Sequence, residues 1–362
     1  MRNAIIHDYF AIRGGGERLA LSLANSIDAD LIYGYRTNET YPDEMFPVCV
    51  RDLRLPRRFQ VEGVRAATLA LRYSAATRLA SKYDKRIYSG QAAIFAAPPS
   101  DGTRRNIYYC HTPPRFVYDQ RDFFAPSGDS GRRSLTNAAL ALFKKGYESR
   151  LSRMDVVIAN SETVRDRLRR YCRTESVIVY PPCDIRSNRW IGQGDYYLST
   201  ARLSPLKGVD KIVEAFIAMP SKRLIVASGG TELDRLRTMA EDVPNIEFRG
   251  WVEEAALRDL IGNAIATIYV AREEDFGMSP VESMAAGKPV IALAEGGLRE
   301  TIIDGETGTL LPSNFETTDL MEAIAAMSPA RALSMRSACE ARAAVFSEDR
   351  FAAEMREIID GR

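Results

Sequence analysis

Short apolar runs alternate with helical patterns twice along this chain, and no other feature narrows its possible folds as much. The first series starts with AIIHDYF (4–10), a helical GGGERLALSLANSI (14–27) and DLIYGY (30–35). After a basic helical stretch come IYYC (107–110), a helix near 132–152, DVVIAN (155–160), a helix opened by Ser161, and SVIVYPP (176–182). The second series starts at YYLSTAR (196–202) and continues through a helix over 209–219, RLIVAS (223–228), a helix over 231–241 and IEFRG (246–250). It closes with a helix over 253–262, ATIYVAR (266–272), a helix opened by Ser279, and PVIAL (289–293). Strands joined by single-helix crossovers pair in parallel, so the pattern predicts an α/β chain with two doubly wound parallel sheets. A length of 362 residues suits two domains better than one core. PPCDIRSNRWIGQG (181–194) carries Pro and Gly without a period and reads as the linker. Beyond Pro329 the pattern is wholly helical.

Composition excludes several classes. Apolar residues make up 46% and charged residues 27%, as in an ordinary globular chain, and the net charge of +1 gives no general pull toward nucleic acid. Five cysteines (49, 110, 172, 183, 339) without a Cys-x-x-Cys spacing point to reduced thiols in a cytoplasmic protein rather than disulfides or zinc. MRNAIIHDYF lacks the apolar core of a signal peptide, and no apolar run approaches the ~18 residues of a spanning helix. Charge is nevertheless uneven. Residues 51–86 hold ten Lys or Arg against three acids, and Val61 to Ala80 interleaves Leu, Ala, Tyr and Arg at helical spacing. Such a run is either a solvated helix face or a surface that contacts anionic membrane.

In open parallel sheets, ligands bind at the carboxyl ends of the strands, and the unusual motifs fall there. Gly14, Gly15 and Gly16 follow the first strand and open its helix, where bare backbone and a helix N-terminus favour an anion. GGGERLA is not the G-x-G-x-x-G of dinucleotide sites, and the ribose-binding acid ~20 residues further on is missing too, which disfavours an NAD dehydrogenase. His111 follows IYYC directly and is held by Pro113 and Pro114, so it is the better candidate of the two histidines for touching a reacting group. For His7 a structural and a functional role both stay open. Arg202 and Lys207, in ARLSPLKG, read either as a phosphate clamp at a helix start or as ordinary surface cations. EEDFGMSPVE (273–282) follows the next strand. Its Ser279, Pro280 and Glu282 read as a capping box, while the backbone of Phe276, Gly277 and Met278 offers N–H groups beside Glu274. The Asp28-Ala29-Asp30 triplet lies at a helix-to-strand junction, so no metal site is expected.

These residues resemble the retaining family-4 glycosyltransferases, over nearly the whole chain. EDFGMSPVE followed by MAAGKPVIALAEGG is similar to that family's E-x₇-E signature, ARLSPLKG to its diphosphate motif and RGGGER to its glycine loop. HDYF…GGGER with YYCHTPPRFVYD resembles a bacterial subset that often uses GDP-mannose. The resemblance implies two Rossmann-like domains facing across a cleft, the GT-B architecture. Residues 1–183 would form the acceptor-side domain, 184–346 the nucleotide-sugar-binding domain, and 347–362 a helix crossing back to the first. FAAEMREII fits that helix, because Phe351, Met355, Ile358 and Ile359 share one face.

By resemblance, Glu274 contacts donor-sugar hydroxyls, Glu282 the ribose, and Arg202 and Lys207 the diphosphate. Phe276, Gly277 and Met278 reach sugar and phosphate through their amides, Gly15 and Gly16 the phosphate, and His111 the transferred sugar or acceptor. The base sits by residues 246–252. The implied reaction moves a hexose, foremost mannose from GDP-mannose, onto a glycan or lipid-linked glycan in bacterial surface polysaccharide or lipopolysaccharide synthesis. Apart from the nucleotide diphosphate sugar it needs neither cofactor nor metal. It would take place in the cytoplasm, on the inner face of the membrane if residues 51–86 dock there. The alternatives are a UDP-sugar transferase, a nucleotide-sugar 2-epimerase and a non-catalytic sugar-nucleotide-binding subunit.

Overall fold

The computed structural model describes residues 2–61, 63–120 and 130–361. The chain divides into two compact units, Met1–Tyr180 with Phe351–Arg362, and Pro181–Arg350. Each is an α/β unit around one parallel sheet. In the first unit β1 (Asn3–His7), β2 (Asp30–Tyr33), β3 (Val50–Asp52), β4 (Lys85–Ser89), β5 (Arg105–Cys110), β6 (Val156–Ala159) and β7 (Val177–Ile178) lie in the order β3-β2-β1-β4-β5-β6-β7. The chain builds outward from β1 in one direction and restarts at β4 on its other side. The switch point between β1 and β4 places His7 opposite Ser89.

Both faces of this sheet are buried, and the strands alternate accordingly. Ala4 and Ile6 join Tyr88, Tyr108 and Cys110 in one core, while Ile5 joins Leu31, Ile87, Ile107 and Tyr109 in the other. The second core is closed by Leu19 and Leu23 of the helix Gly15–Ser26 and by Phe351, Met355 and Ile359 of the helix Glu348–Asp360. The spacing of those last three puts one apolar stripe on the helix. Lys85 pairs with Asp360 at 2.6 Å, and Arg105 donates to the Ile358 carbonyl at 2.9 Å, fixing the helix end.

In the second unit β8 (Tyr196–Ser199), β9 (Arg223–Val226), β10 (Ile246–Phe248), β11 (Thr267–Tyr269), β12 (Val290–Leu293) and β13 (Gly308–Leu311) lie in the order β10-β9-β8-β11-β12-β13. Its switch point falls between β8 and β11. Ligands of open α/β sheets bind at such points, outside the carboxyl ends of the strands.

Some elements depart from the sequence reading. The strand β4 went unrecognised because it opens with Lys85 and Arg86, yet Arg86 is only 1% exposed in the sheet centre. The basic stretch is therefore not one helix face: Arg51 lies on β3, Arg57 and Arg58 on a short 3₁₀ helix, and Lys85 and Arg86 on β4. Only Arg65–Ala75 and Thr77–Ala80 are α-helical, and residue 62 lies outside the described residues. Ser161 caps its helix as expected, accepting from the Val164 N–H. Ser279 does not. That helix runs Met278–Ala285, its N-cap is Gly277 with φ 93°, and no side chain caps it. The capping-box reading thus fails, because a left-handed glycine turns the chain two residues earlier. Glu282 sits in the second turn, beyond reach of a cap's backbone N–H.

Candidate functional site

At the switch point of the second sheet, polar groups gather on one carboxylate oxygen. Lys207 Nζ lies 2.5 Å from Glu274 Oε2, and the Tyr269 hydroxyl donates to the same oxygen at 3.0 Å. Lys207 Nζ and the Tyr269 hydroxyl are 3.2 Å apart. Tyr269 is the last residue of β11, Lys207 ends the 3₁₀ helix Pro205–Lys207 after β8, and Glu274 lies in the loop after β11. Burial first, then the adjoining Glu274, Glu282 and the opposing pull of Arg202 set the Tyr269 phenol, which is driven well above its ordinary range and stays a proton donor. Arg202 and Glu282 are thus within electrostatic reach of this hydroxyl. Arg202 is exposed and Glu282 half-buried.

The loop that carries Glu274 is shaped by glycines. Gly297 N–H donates to the Glu274 carbonyl at 2.9 Å. A Cβ on Gly296 would stand 2.2 Å from that carbonyl oxygen, and one on Gly297 2.4 Å from Phe276 Cα. Phe276 is buried, with its ring against Phe346, so its offering to a ligand is backbone, like that of Gly277 and Met278 at the uncapped helix start. An N-terminus without a side-chain cap keeps its dipole and N–H groups for an anion. Past β10, Trp251 is 73% exposed, and a Cβ on Gly229 would meet its indole nitrogen at 2.4 Å. An aromatic face thereby stands at the carboxyl ends of β9 and β10.

In the first unit, the buried His7 and Ser89 and the half-buried His111 form a chain at the switch point. His7 Nδ1 lies 3.1 Å from Ser89 Oγ, and Ser89 Oγ 2.8 Å from His111 Nε2. One hydroxyl proton serves two rings, so one ring donates to Ser89 and the other accepts from it, and their tautomers are coupled. Burial, helped by the neighbouring His111, pushes His7 down to about 3, and burial pushes His111 down to about 4. Both rings are neutral at pH 7. Gly16 lies against His111: a Cβ there would stand 3.5 Å from its ring, and Gly15 opens the same helix. The glycine loop and His111 therefore meet, as do Lys207 and Glu274. Sequence reasoning missed Tyr269 and Ser89 and gave no role to the Gly296-Gly297 pair that ends MAAGKPVIALAEGG; each acts through a neighbour that carries the visible motif. Beside this chain Asp8 accepts backbone N–H bonds from Gln91, Ala92 and Ala93, and its burial raises it to about 6.

Among the described residues, no helix is long and apolar enough to cross a membrane.

Residues 184–344, the greater part of the second unit, match the family model of the glycosyl transferases group 1. D-inositol 3-phosphate glycosyltransferase of Acidothermus cellulolyticus is 33% identical over 156 residues, 38% of this chain and 35% of that one. The human GDP-Man:Man(3)GlcNAc(2)-PP-Dol alpha-1,2-mannosyltransferase is 25% identical over 228 residues, 54% of this chain and 46% of that one. The alignments thus span about a third to a half of these relatives' length. The structure of Anabaena HepE in complex with UDP and glucose superposes over 100% of both chains, with a TM-score of 0.76 at 19% identity. The fold of this chain is that of the GT-B glycosyltransferases, built from two Rossmann-like domains.

Proposed function

We propose that this chain is a retaining glycosyltransferase that moves a hexose from a nucleotide diphosphate sugar onto a glycan or lipid-linked glycan acceptor. The observation that carries the reading is the meeting of Lys207 and Tyr269 on the Glu274 carboxylate at the switch point of the second sheet. Arg202, Lys207 and the uncapped helix at Met278 meet the charge of a leaving diphosphate, and this needs no metal. Glu274 then orients hydroxyls of the sugar, and Glu282, with no capping duty, accepts from the ribose. The exposed indole of Trp251 offers the base a face.

The same contact supports retention as the stereochemical course. Double displacement needs a carboxylate on the face of the sugar opposite the leaving group. Glu274 is tied to the ammonium that neutralises the leaving diphosphate, so it lies on the leaving-group side. In the course we favour, which is the one the family resemblance implies, the acceptor attacks from that side. Its oxygen bonds to the anomeric carbon, the bond from carbon to phosphate oxygen breaks, and a phosphate oxygen takes the acceptor proton. A neutral His111, its tautomer coupled to His7 through Ser89, contacts the sugar or acceptor without adding charge.

Mannose from GDP-mannose is the donor we favour, in line with the GDP-Man in the name of the human relative. Leu71, Val61 and Val64 stand exposed among Arg54, Arg57, Arg58 and Arg72, which supports peripheral contact with an anionic membrane surface. The test is a panel of GDP- and UDP-sugars scored by thermal stabilisation, followed by product analysis with the stabilising donor in excess chelator. A donor that raises the melting temperature and yields a retained glycoside supports the proposal. No stabilisation by any nucleotide sugar refutes it, and strict dependence on added Mg²⁺ or Mn²⁺ refutes the metal-free course.

A further inference from the structure

A cavity of about 420 Å³ opens in the first unit beside the carboxyl ends of β1 and β2, with Ala11, Tyr35, Arg36, Arg57, Gln60 and Arg65 in its wall. It lies at the strand ends that also carry His111 and the glycine loop. Its cations are held in different ways. Arg36 is neutralised by Asp43 at 2.6 Å. Arg65 is preorganised: its guanidinium sits 4.9 Å over the Tyr9 ring and hydrogen-bonds Tyr35, and the two tyrosines stack at 5.1 Å. Asp8, which feels the charge of Arg65, accepts from the backbone N–H groups of Gln91, Ala92 and Ala93. Arg57 opens the 3₁₀ helix Arg57–Phe59, is exposed, and its guanidinium has no ion pair among the described residues. Glu39 is the one acid of the lining, and it is exposed.

We propose that this cavity binds a phosphoryl group of the acceptor, held between Arg57 and Arg65. This rests on the glycosyltransferase reading, since it names the acceptor's chemistry. A neutral glycan would gain nothing from two guanidinium groups on separate elements, whereas a phosphoryl group offers each an oxygen edge for paired hydrogen bonds. The tyrosine beside Arg65 gives the attached sugar ring a flat apolar wall. The volume accommodates a sugar phosphate. The phosphoryl group could come from a soluble sugar phosphate or from a lipid headgroup, and the chemistry recognised is the same.

The experiment is binding of mannose 6-phosphate, by calorimetry, to the wild-type chain and to Arg57→Ala, Arg57→Lys and Lys207→Ala. In parallel, the same proteins are sedimented with phosphatidylcholine vesicles with and without phosphatidic acid. Loss of one charged hydrogen-bonding partner should weaken phosphoryl binding about tenfold. Arg57→Ala should show that loss, Arg57→Lys should regain part of it, and Lys207→Ala should bind like wild type. Arg57-dependent binding of mannose 6-phosphate assigns a soluble source. Arg57-dependent binding of the phosphatidic acid vesicles alone assigns a headgroup. Either supports the proposal. It is overturned if neither probe binds, if Lys207→Ala rather than Arg57→Ala loses binding, or if mannose binds as tightly as its phosphate. Nucleotide-sugar binding, followed on the same proteins, separates the two readings: a wild-type chain that binds the phosphate through Arg57 and no nucleotide sugar keeps the cavity and loses the transferase.

Discussion

Lys207 and Glu274 form an ion pair with Nζ 2.5 Å from Oε2, although 67 residues separate them in the chain. Their side chains are 27% and 18% exposed, so solvent only partly screens the pair. Lys207→Ala removes the cation that meets a developing diphosphate and, among the described residues, leaves the Glu274 carboxylate the Tyr269 hydroxyl as its side-chain donor. Donor affinity and turnover should fall together, by tens- to several-hundredfold, as for ~2–4 kcal/mol of lost charged contact. Steady-state kinetics and donor titration of the variant check this. Unchanged kinetics would remove the support for the diphosphate assignment.

Glu282 and Glu274 should respond differently to the same change. Glu274 precedes the helix Met278–Ala285 and Glu282 lies in its second turn; its N-cap is Gly277, so neither carboxylate caps it. Glu282→Gln should weaken nucleotide binding with the melting temperature preserved. Glu274→Gln should cut turnover more than nucleotide affinity, because its partner is the sugar in transfer. Two variants with wild-type turnover would sink the donor site as drawn.

What the sequence discloses depends on whether a residue's role is local. The alternation of short apolar runs revealed most strands, and the tail stripe of Phe351, Met355 and Ile359 was visible from spacing alone. β4 hid because Lys85 and Arg86 break its apolar run, although Arg86 is buried once neighbouring strands cover it. β3 hid because VRD is an exposed edge, and β13 because GTLL is four residues after a turn. Arg202, Lys207 and the Glu274 segment stand out as motifs beside strand ends. Tyr269 and Ser89 do not, since a tyrosine or serine ending a strand becomes informative only through partners distant in sequence.

The two histidines should set the acid limb of stability. The ordinary value is 6.5, and the folded state holds His7 at about 3 and His111 at about 4. Below pH ~6.5 the unfolded chain takes up protons that the folded chain refuses. Stability is therefore fully present above about 6.5, falls as pH drops, with the His111 share spent near 4, and levels off only below about 3, where His7 is protonated as well. A shift of this size for His111 alone corresponds to about 3 kcal/mol. Asp8 acts oppositely: held at about 6 against an ordinary 3.8, it makes stability fall as pH rises through that window, and so blunts the histidine slope. Urea midpoints from pH 4 to 8 should show a shallower slope in His111→Gln and in His7→Gln than in wild type. Wild-type slopes in both would mean that the two rings protonate at their ordinary values.

The last prediction concerns a residue with no side chain. Gly296 has φ +57°, and a Cβ there would stand 2.2 Å from the Glu274 carbonyl oxygen, too close for any real contact. The obstacle is backbone, which cannot swing aside as a flexible side chain could. Gly296→Ala must move the loop, and with it the carboxylate that meets Lys207. Backbone strain alone at such a position costs roughly 1–2 kcal/mol, so the melting temperature should drop modestly. Turnover should drop much further, because a displacement near 1 Å at a positioning group can cost ~10²-fold. Gly305 supplies the control. Its φ is +78° and a Cβ there meets nothing within 4 Å. Gly305→Ala should pay the same backbone strain and keep wild-type turnover. Comparing kcat and melting temperature in the two variants separates strain from displacement. If both lose stability equally and both retain turnover, the close approach of Gly296 to Glu274 does not position the carboxylate.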